Sequence, residues 1–152
     1  GDPPTLLVNT ELHADGSPKD TARNVMDTGA LVIHLVGAAQ AEAMNASSAG
    51  LPPGTSEFER CGIASVPSLR VRPPRVQGAA VAFECELAEL KPYPAQQPRQ
   101  YLIFARILLA HIDDAVLADN RRVDPAKLDL IARLGGSLYA TTRDRFAMKR
   151  PA

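Results

Sequence analysis

Alternating and continuous apolar runs are the strongest pattern in the chain, and they predict a mainly β protein. Between Val81 and Ala88, apolar side chains alternate with polar or small ones, and Glu84 belongs to the second set. That period is typical of a half-buried strand. The run 101–112 is apolar on both faces, so we expect a barrel interior on one face and a subunit interface on the other. Residues 5–12 and 30–36 read as shorter strands.

Helix signals are few and short, which places helices at the rim of the predicted sheet. Ser17 suits an N-cap, Pro18 the first helical position, and Asp20 the third, which completes a capping box. Val25 and Met26 give this helix an apolar side, and Gly29 fits just past its end. The other predicted non-strand segments are helices over 38–47, 56–61 and 124–134 and an extended, proline-containing passage over 67–78.

Composition narrows the class to one ordinary globular unit spanning residues 1–152. Apolar residues make up 45% and charged residues 22%, and 17 basic residues balance 17 acidic ones. Without a basic tract, a nucleic-acid partner is not expected. Arg106 and His111 interrupt the longest apolar run, and Gly1 does not open a signal peptide. We therefore expect a cytoplasmic protein without a membrane span.

Cys61 and Cys85 follow no metal-ligand spacing. Free thiols in a reducing cytoplasm are the preferred interpretation, with a disulfide as the alternative. His34 and His111 lie on predicted strands without a second ligand nearby, so structural roles are expected for both, and no metal site is predicted. Asp113 and Asp114 are expected to begin a solvated turn rather than to form a carboxylate pair.

The predicted helix start is the most informative candidate site. The first turn of a helix exposes unpaired N–H groups and a partial positive charge, which attract anions. Lys19 adds a cation and Thr21 a hydroxyl donor at the same end, so the segment is suited to hold a phosphate. From spacing alone, a well-capped surface helix whose polar side chains face water is the commoner interpretation.

A series of segments that resemble one protein family favours the phosphate site over the solvent-facing helix. The run from Asp15 to Val25, DGSPKDTARNV, resembles the DGSxKDTxxNI stretch of flavin reductase-like proteins. Other pieces follow in the order and spacing of the same family and cover nearly the whole chain. These pieces are 41–48, 52–54, 57–58, 71–76, 83–85, 111–114, 123–125, 133–140 and 142–146.

The resemblance implies a split β-barrel, mainly β with peripheral helices, whose two subunits bind FMN at their shared interface. It implies a phosphate site at Ser17, Lys19, Asp20 and Thr21, with Asn9 contributed by the preceding strand. Further candidate contacts are the 45–48 loop and the 135–139 segment. Family members transfer hydride from NAD(P)H to flavin, often for a separate monooxygenase. The flavin performs the redox chemistry, so no catalytic acid or base is predicted.

The chain also departs from the family pattern. By the resemblance, family members begin with two strands and a flavin-wrapping loop before the point that corresponds to Gly1, and we expect those strands to be absent from this chain. Leu12 and His13 stand where relatives often have arginine, Asn9 replaces a common serine, and Ala105 replaces a glycine. Two alternatives to an NAD(P)H-dependent FMN reductase therefore stay open. One is a non-catalytic flavin-binding or electron-carrier protein resembling flavoredoxin, and the other is a degenerate member with an interaction role.

Overall fold

The fold is taken from a computed structural model that describes residues 2–52 and 54–151, so the interpretations placed on Gly1 and Pro53 lie outside the described residues. The strands are β1 (Thr5–Glu11), β2 (Ala30–Leu35), β3 (Ser65–Val66), β4 (Arg75–Val76), β5 (Val81–Tyr93), β6 (Gln100–Ile112), β7 (Ile131–Gly135) and β8 (Leu138–Thr141). The helices are α1 (Asp20–Thr28), α2 (Ala41–Ala46), α3 (Glu57–Arg60) and α4 (Pro125–Leu128), with 3-10 turns at Ala38–Gln40 and Asp114–Val116.

The main sheet has four strands in the order β1-β6-β5-β2, and every neighbouring pair is antiparallel. The centre of this sheet is the long β5–β6 hairpin, in which each strand has 13 residues. Strands β3 and β4 form one small sheet, and β7 and β8 form another. The prediction of a mainly β protein with peripheral helices is therefore confirmed.

One face of the sheet is closed by α1. Val25 of the helix packs with Leu31, Cys85, Ile103 and Ala105, all of them buried. Gly29 ends α1 in the left-handed conformation, with φ of 66°, and its N–H donates to the carbonyl of Val25. The predicted end of this helix is confirmed.

The apolar side of α1 differs in one residue from the prediction. The side chain of Met26 is 43% exposed, so Ala22 rather than Met26 accompanies Val25 in the core. Ala22 lies three residues before Val25, and residues at that spacing share one helix face, whereas adjacent residues do not.

The predicted last helix is much shorter than expected. It runs only over Pro125–Leu128, although Asp124 caps it as expected by accepting from the Ala126 N–H at 2.8 Å. Asp129 then adopts a left-handed conformation. The amide of Ile131 donates to the Val36 carbonyl at 3.0 Å, and 131–135 pairs with 138–141. Pairing with the following strand, together with the bond to the distant Val36 carbonyl, satisfies this backbone, so the segment continues as a strand.

The other face of β6 is only partly covered. Leu102 and Phe104 are half-buried, and Leu7 on the neighbouring strand β1 is 59% exposed. Lys91 lies over the Phe104 ring, with its ammonium 5.4 Å from the ring centre. A single chain thus covers one face of the long strand and leaves apolar surface on the other.

Candidate functional site

The start of α1 differs from the predicted capping box. The helix begins at Asp20 with Lys19 as its N-cap, and no side chain caps it. Ser17 instead donates its hydroxyl to the Asp15 carboxylate at 2.6 Å, and its amide does the same at 2.9 Å. Pro18 forms an isolated β-bridge with Leu12, which keeps this stretch extended. The assignment of Ser17 as the N-cap is therefore wrong, because the turn at 15–17 already uses its hydroxyl.

Amides at the start of α1 are left for a ligand or for water. The Arg23 N–H donates to the Lys19 carbonyl at 3.1 Å, which closes the first helical turn. The N–H groups of Asp20 and Thr21 precede that bond and have no acceptor within the helix. Asp20 forms an ion pair with Arg23 three residues on. This end of the helix therefore offers backbone donors beside a carboxylate that is already paired with a guanidinium.

The helix start opens onto a cavity of about 1080 Å³ between α1, β2, α3 and the proline-containing segment. Asp20 and Thr21, two of the predicted contacts, line it. The other three lie outside the lining: Asn9 donates to Gln100 at 3.1 Å, Ser17 bonds Asp15, and the Lys19 ammonium is 3.9 Å from the Glu11 carboxylate. The polar lining residues are Asp20, Thr21, Arg23, Asn24, Thr28, His34, Ser47, Thr55, Ser56, Glu57 and Arg72.

Sequence reasoning missed most of that polar lining. Arg23 and Asn24 belong to the DGSPKDTARNV run, and helical spacing from Asp20 was a signal that could have added them. Arg72 gave no such signal, because its place depends on how segment 67–76 folds back over the sheet.

Residues 67–76, called the strap below, are held by a buried carboxylate. Glu84 on β5 is 0% exposed. One of its oxygens accepts from the Leu69 N–H at 2.9 Å and the other from the Arg70 N–H at 2.6 Å. His111 Nε2 lies 2.6 Å from the first oxygen, and Arg75 Nε lies 3.7 Å from it. The placement of Glu84 on a half-buried strand's polar face is therefore wrong, because the strap covers that face.

The charge of Glu84 is favoured by its partners. Burial alone would raise the pKa of the Glu84 carboxyl, but hydrogen bonds from Leu69, His111 and Arg70 outweigh burial and leave that pKa below its ordinary value. The carboxylate is therefore the form that holds the strap.

His34 forms a second anchor for the strap. Its Nε2 accepts the Val76 N–H at 3.0 Å, so the imidazole must be neutral at that nitrogen. Burial, with the charge of Arg75 second, lowers the pKa of His34. Both His34 and His111 have hydrogen-bond partners inside the fold, which agrees with the structural roles predicted for them.

A second cleft, of about 870 Å³, is also lined by His34. It brings together the two segments that the resemblance ranked after the phosphate site. Asn45 and Ser48 line it from the end of α2, and Ser137 and Tyr139 line it from the β7–β8 hairpin. His34 lines both cavities, so the two adjoin at β2.

The site contains hydrogen-bond donors, acceptors and paired charges rather than a catalytic pair. Asp113 accepts from the Ala115 N–H at 2.9 Å and so begins a turn, as expected. Among residues 2–52 and 54–151, no group of three or more His, Cys, Asp or Glu is placed to hold a metal ion. Within those same limits, no helix is long and apolar enough to cross a membrane. The arrangement is suited to binding and orienting a polar ligand.

Comparison with known proteins gives consistent results. The family model described as "Flavin reductase like domain" matches residues 1–127. An uncharacterized protein of Aquifex aeolicus (strain VF5) is 34% identical over 138 residues, which are 91% of this chain and 68% of the relative. The solved structure of nitrilotriacetate monooxygenase component B from Bacillus cereus has a TM-score of 0.90 and 29% identity, covering 97% of this chain and 73% of that chain.

The fold is confirmed by a further solved structure. A putative flavin reductase with a split barrel domain from Shewanella frigidimarina NCIMB 400 has a TM-score of 0.83 at 22% identity. The match covers 99% of this chain and 72% of that chain. The four-stranded curled sheet with few helices is therefore a split β-barrel fold, as the sequence predicts.

Proposed function

The chain belongs to the flavin reductase like domain family, and on that premise we propose that it binds FMN at the start of α1 and transfers hydride from NAD(P)H to flavin. One observation carries the proposal. The amide-bearing end of α1 opens onto a cavity of about 1080 Å³ whose lining residues all lie within the family match.

The residues present fit a phosphorylated flavin. Ligand cavities commonly measure roughly 300–1,000 Å³, so this one has room for a flavin-sized molecule. The amides of the first helical turn and the Thr21 hydroxyl would receive the phosphate. The Asp20 carboxylate, held by Arg23, is available to accept from ligand hydroxyls. Asn9, Ser17 and Lys19 stay in the proposal as contacts from the strand and turn that precede the helix.

Flavin, when bound, supplies the hydride chemistry. The contribution of this chain is to fix the ligand's position. Thr21 and the α1 amides hold one end, and the strap and α3 wall the cavity that receives the rest. His34 and Glu84 are already occupied by backbone N–H groups, so neither is assigned a proton-transfer step.

We also propose that the protein acts as a homodimer that supplies reduced flavin to a monooxygenase. The partly covered face of β6 and the neighbouring Leu7 support the dimer. The likeness to a protein named as component B of a monooxygenase supports the partner class.

A cytoplasmic location is part of the proposal. Cys61 and Cys85 are free, and burial raises the pKa of the Cys85 thiol to about 11. Unpaired thiols are typical of reducing compartments. Cell fractionation with an antibody to the native protein tests this location, and recovery of the protein outside the cytoplasm would contradict it.

Two measurements on the purified chain test the activity. Fluorescence titration with FMN should show saturable binding, and added FMN should stimulate oxidation of NADH or NADPH. FMN binding without nicotinamide oxidation would instead favour an electron carrier. Absence of flavin binding would leave the interaction role of a degenerate member and would refute the proposed site.

A further inference from the structure

The strap is anchored to the sheet and to itself at several points. Burying a carboxylate is costly unless hydrogen bonds replace its water, and Glu84 obtains these bonds from Leu69, Arg70 and His111. A further bond closes the strap on itself, because the Ser68 hydroxyl donates to the Pro73 carbonyl at 2.6 Å.

These contacts fix the position of Arg72. The residue lies between the amides held by Glu84 and the carbonyl held by Ser68, and it is one of the residues that line the cavity. Since the backbone is held on both sides of it, an exposed arginine is placed at the wall of the cavity, where it can reach a ligand as well as solvent.

Arg72 is the lining cation that is not already paired. Arg23, the other lining arginine, is bound to Asp20. In the described part of the chain, Arg72 makes none of the ion pairs that the remaining charged groups form. Glu57 is an acidic residue that lines the same cavity as Arg72. Guanidinium groups bind phosphate through paired, charge-assisted hydrogen bonds.

We propose that Arg72 binds the phosphate of the flavin together with the start of α1, and that Glu84 is the positioning residue that holds the strap for it. The inference rests on the proposed function for the identity of the ligand. It assigns a contact that neither the sequence pattern nor the family resemblance gave, and it assigns a role to the buried carboxylate.

Comparing FMN with riboflavin isolates the phosphate, because the two ligands differ only in that group. Arg72→Ala should weaken FMN binding about tenfold, the loss of one charge-assisted contact, and leave riboflavin affinity within about twofold. Arg70→Ala is the matched control. It removes an exposed cation from the same strap that does not line the cavity, and it keeps the amide that Glu84 binds. The control should leave both affinities unchanged.

The role of Glu84 is tested by the ratio of FMN affinity to riboflavin affinity, because a general loss of structure would weaken both affinities alike. Glu84→Gln should lower the ratio of FMN to riboflavin affinity about threefold to tenfold. The double variant with Arg72→Ala should show the same ratio as Arg72→Ala alone, because Glu84 acts through Arg72. If Glu84→Gln does not fold, Ser68→Ala provides a milder release of the strap and should lower the ratio in the same direction.

The outcomes separate this inference from the proposed function. Wild-type protein that prefers FMN over riboflavin, with an unchanged ratio in Arg72→Ala, overturns the inference and leaves the flavin site standing. Additive effects of the two substitutions overturn the positioning role of Glu84. Wild-type protein that binds neither flavin overturns the proposed function and the inference with it.

Discussion

The imidazole of His34 joins two parts of the chain that are far apart in sequence, since it accepts the amide of Val76 from the strap. Its pKa is lowered from 6.5 by burial and then by the charge of Arg75. The unfolded chain therefore takes up a proton at a higher pH than the folded chain. The stabilisation from neutral His34 is complete above 6.5 and is lost as pH falls through the lowered folded pKa.

His34→Gln, which keeps an acceptor but cannot be protonated, should reduce this pH dependence. We expect the free energy of unfolding of the wild type to fall more between about pH 7.5 and about pH 5.5 than that of the variant. Urea denaturation at both pH values measures this difference. His13→Gln, a change at an exposed histidine, is the control and should follow the wild type. The pH range in which His34 changes the stability lies above the range for Glu84, whose pKa is lowered from 4.5.

Lys19 tests the contacts that lie beside the cavity rather than in it. Its ammonium is 3.9 Å from the Glu11 carboxylate and half exposed, so a bound phosphate would compete with a weak surface pair. Lys19→Ala should weaken FMN binding roughly threefold to tenfold with little change in riboflavin binding. Lys127→Ala is the control, because Lys127 is an exposed lysine on α4 that lines neither cavity. Unchanged FMN affinity in Lys19→Ala would remove Lys19 from the site.

The place of a residue could be predicted where the sequence evidence is local. The prediction failed where the place depends on a distant segment. Thr21 was found from its place in one sequence motif, and it lines the cavity. Glu84 was assigned to a polar face because alternation along one strand says nothing about which distant segment covers that face. The burial of Glu84 depends on the Leu69 and Arg70 amides, about 15 residues earlier in the chain.

At the scale of elements, the end of α1 is set by Gly29. Its φ of 66° is a conformation that strains any residue with a Cβ, although the space around that Cβ is open. Gly29→Ala should therefore destabilise the protein by about 1 kcal/mol. Gly50→Ala is the control, because its surroundings are equally open and its φ is not positive. Equal unfolding free energies for the two variants would contradict this account of the helix end.

Elements with a local signal were predicted well. Strands β5 and β6 have long apolar patterns, and Gly29 marks the end of α1. The last helix was predicted over 124–134 because Asp124 and Pro125 do begin a helix. Nothing local showed that Ile131 would donate to Val36, about 95 residues earlier, and leave the helix after one turn. Pairing between distant strands is what a single-sequence pattern represents least.

At the scale of the whole molecule, the outer face of the β1–β6 pair determines the last prediction. Leu7 is 59% exposed there, beside half-buried Leu102 and Phe104. If this face is the dimer interface, Leu7→Glu should place a charge in it. The mass measured by analytical ultracentrifugation should then fall from that of a dimer to that of a monomer. If FMN is shared between two subunits, as the family resemblance implies, the monomer should also lose most of its FMN affinity. Met148→Glu, a charge at an exposed apolar side chain in the tail, should change neither property. A Leu7→Glu variant that remains dimeric would exclude this face, and a monomer with wild-type FMN affinity would show that one subunit holds the flavin alone.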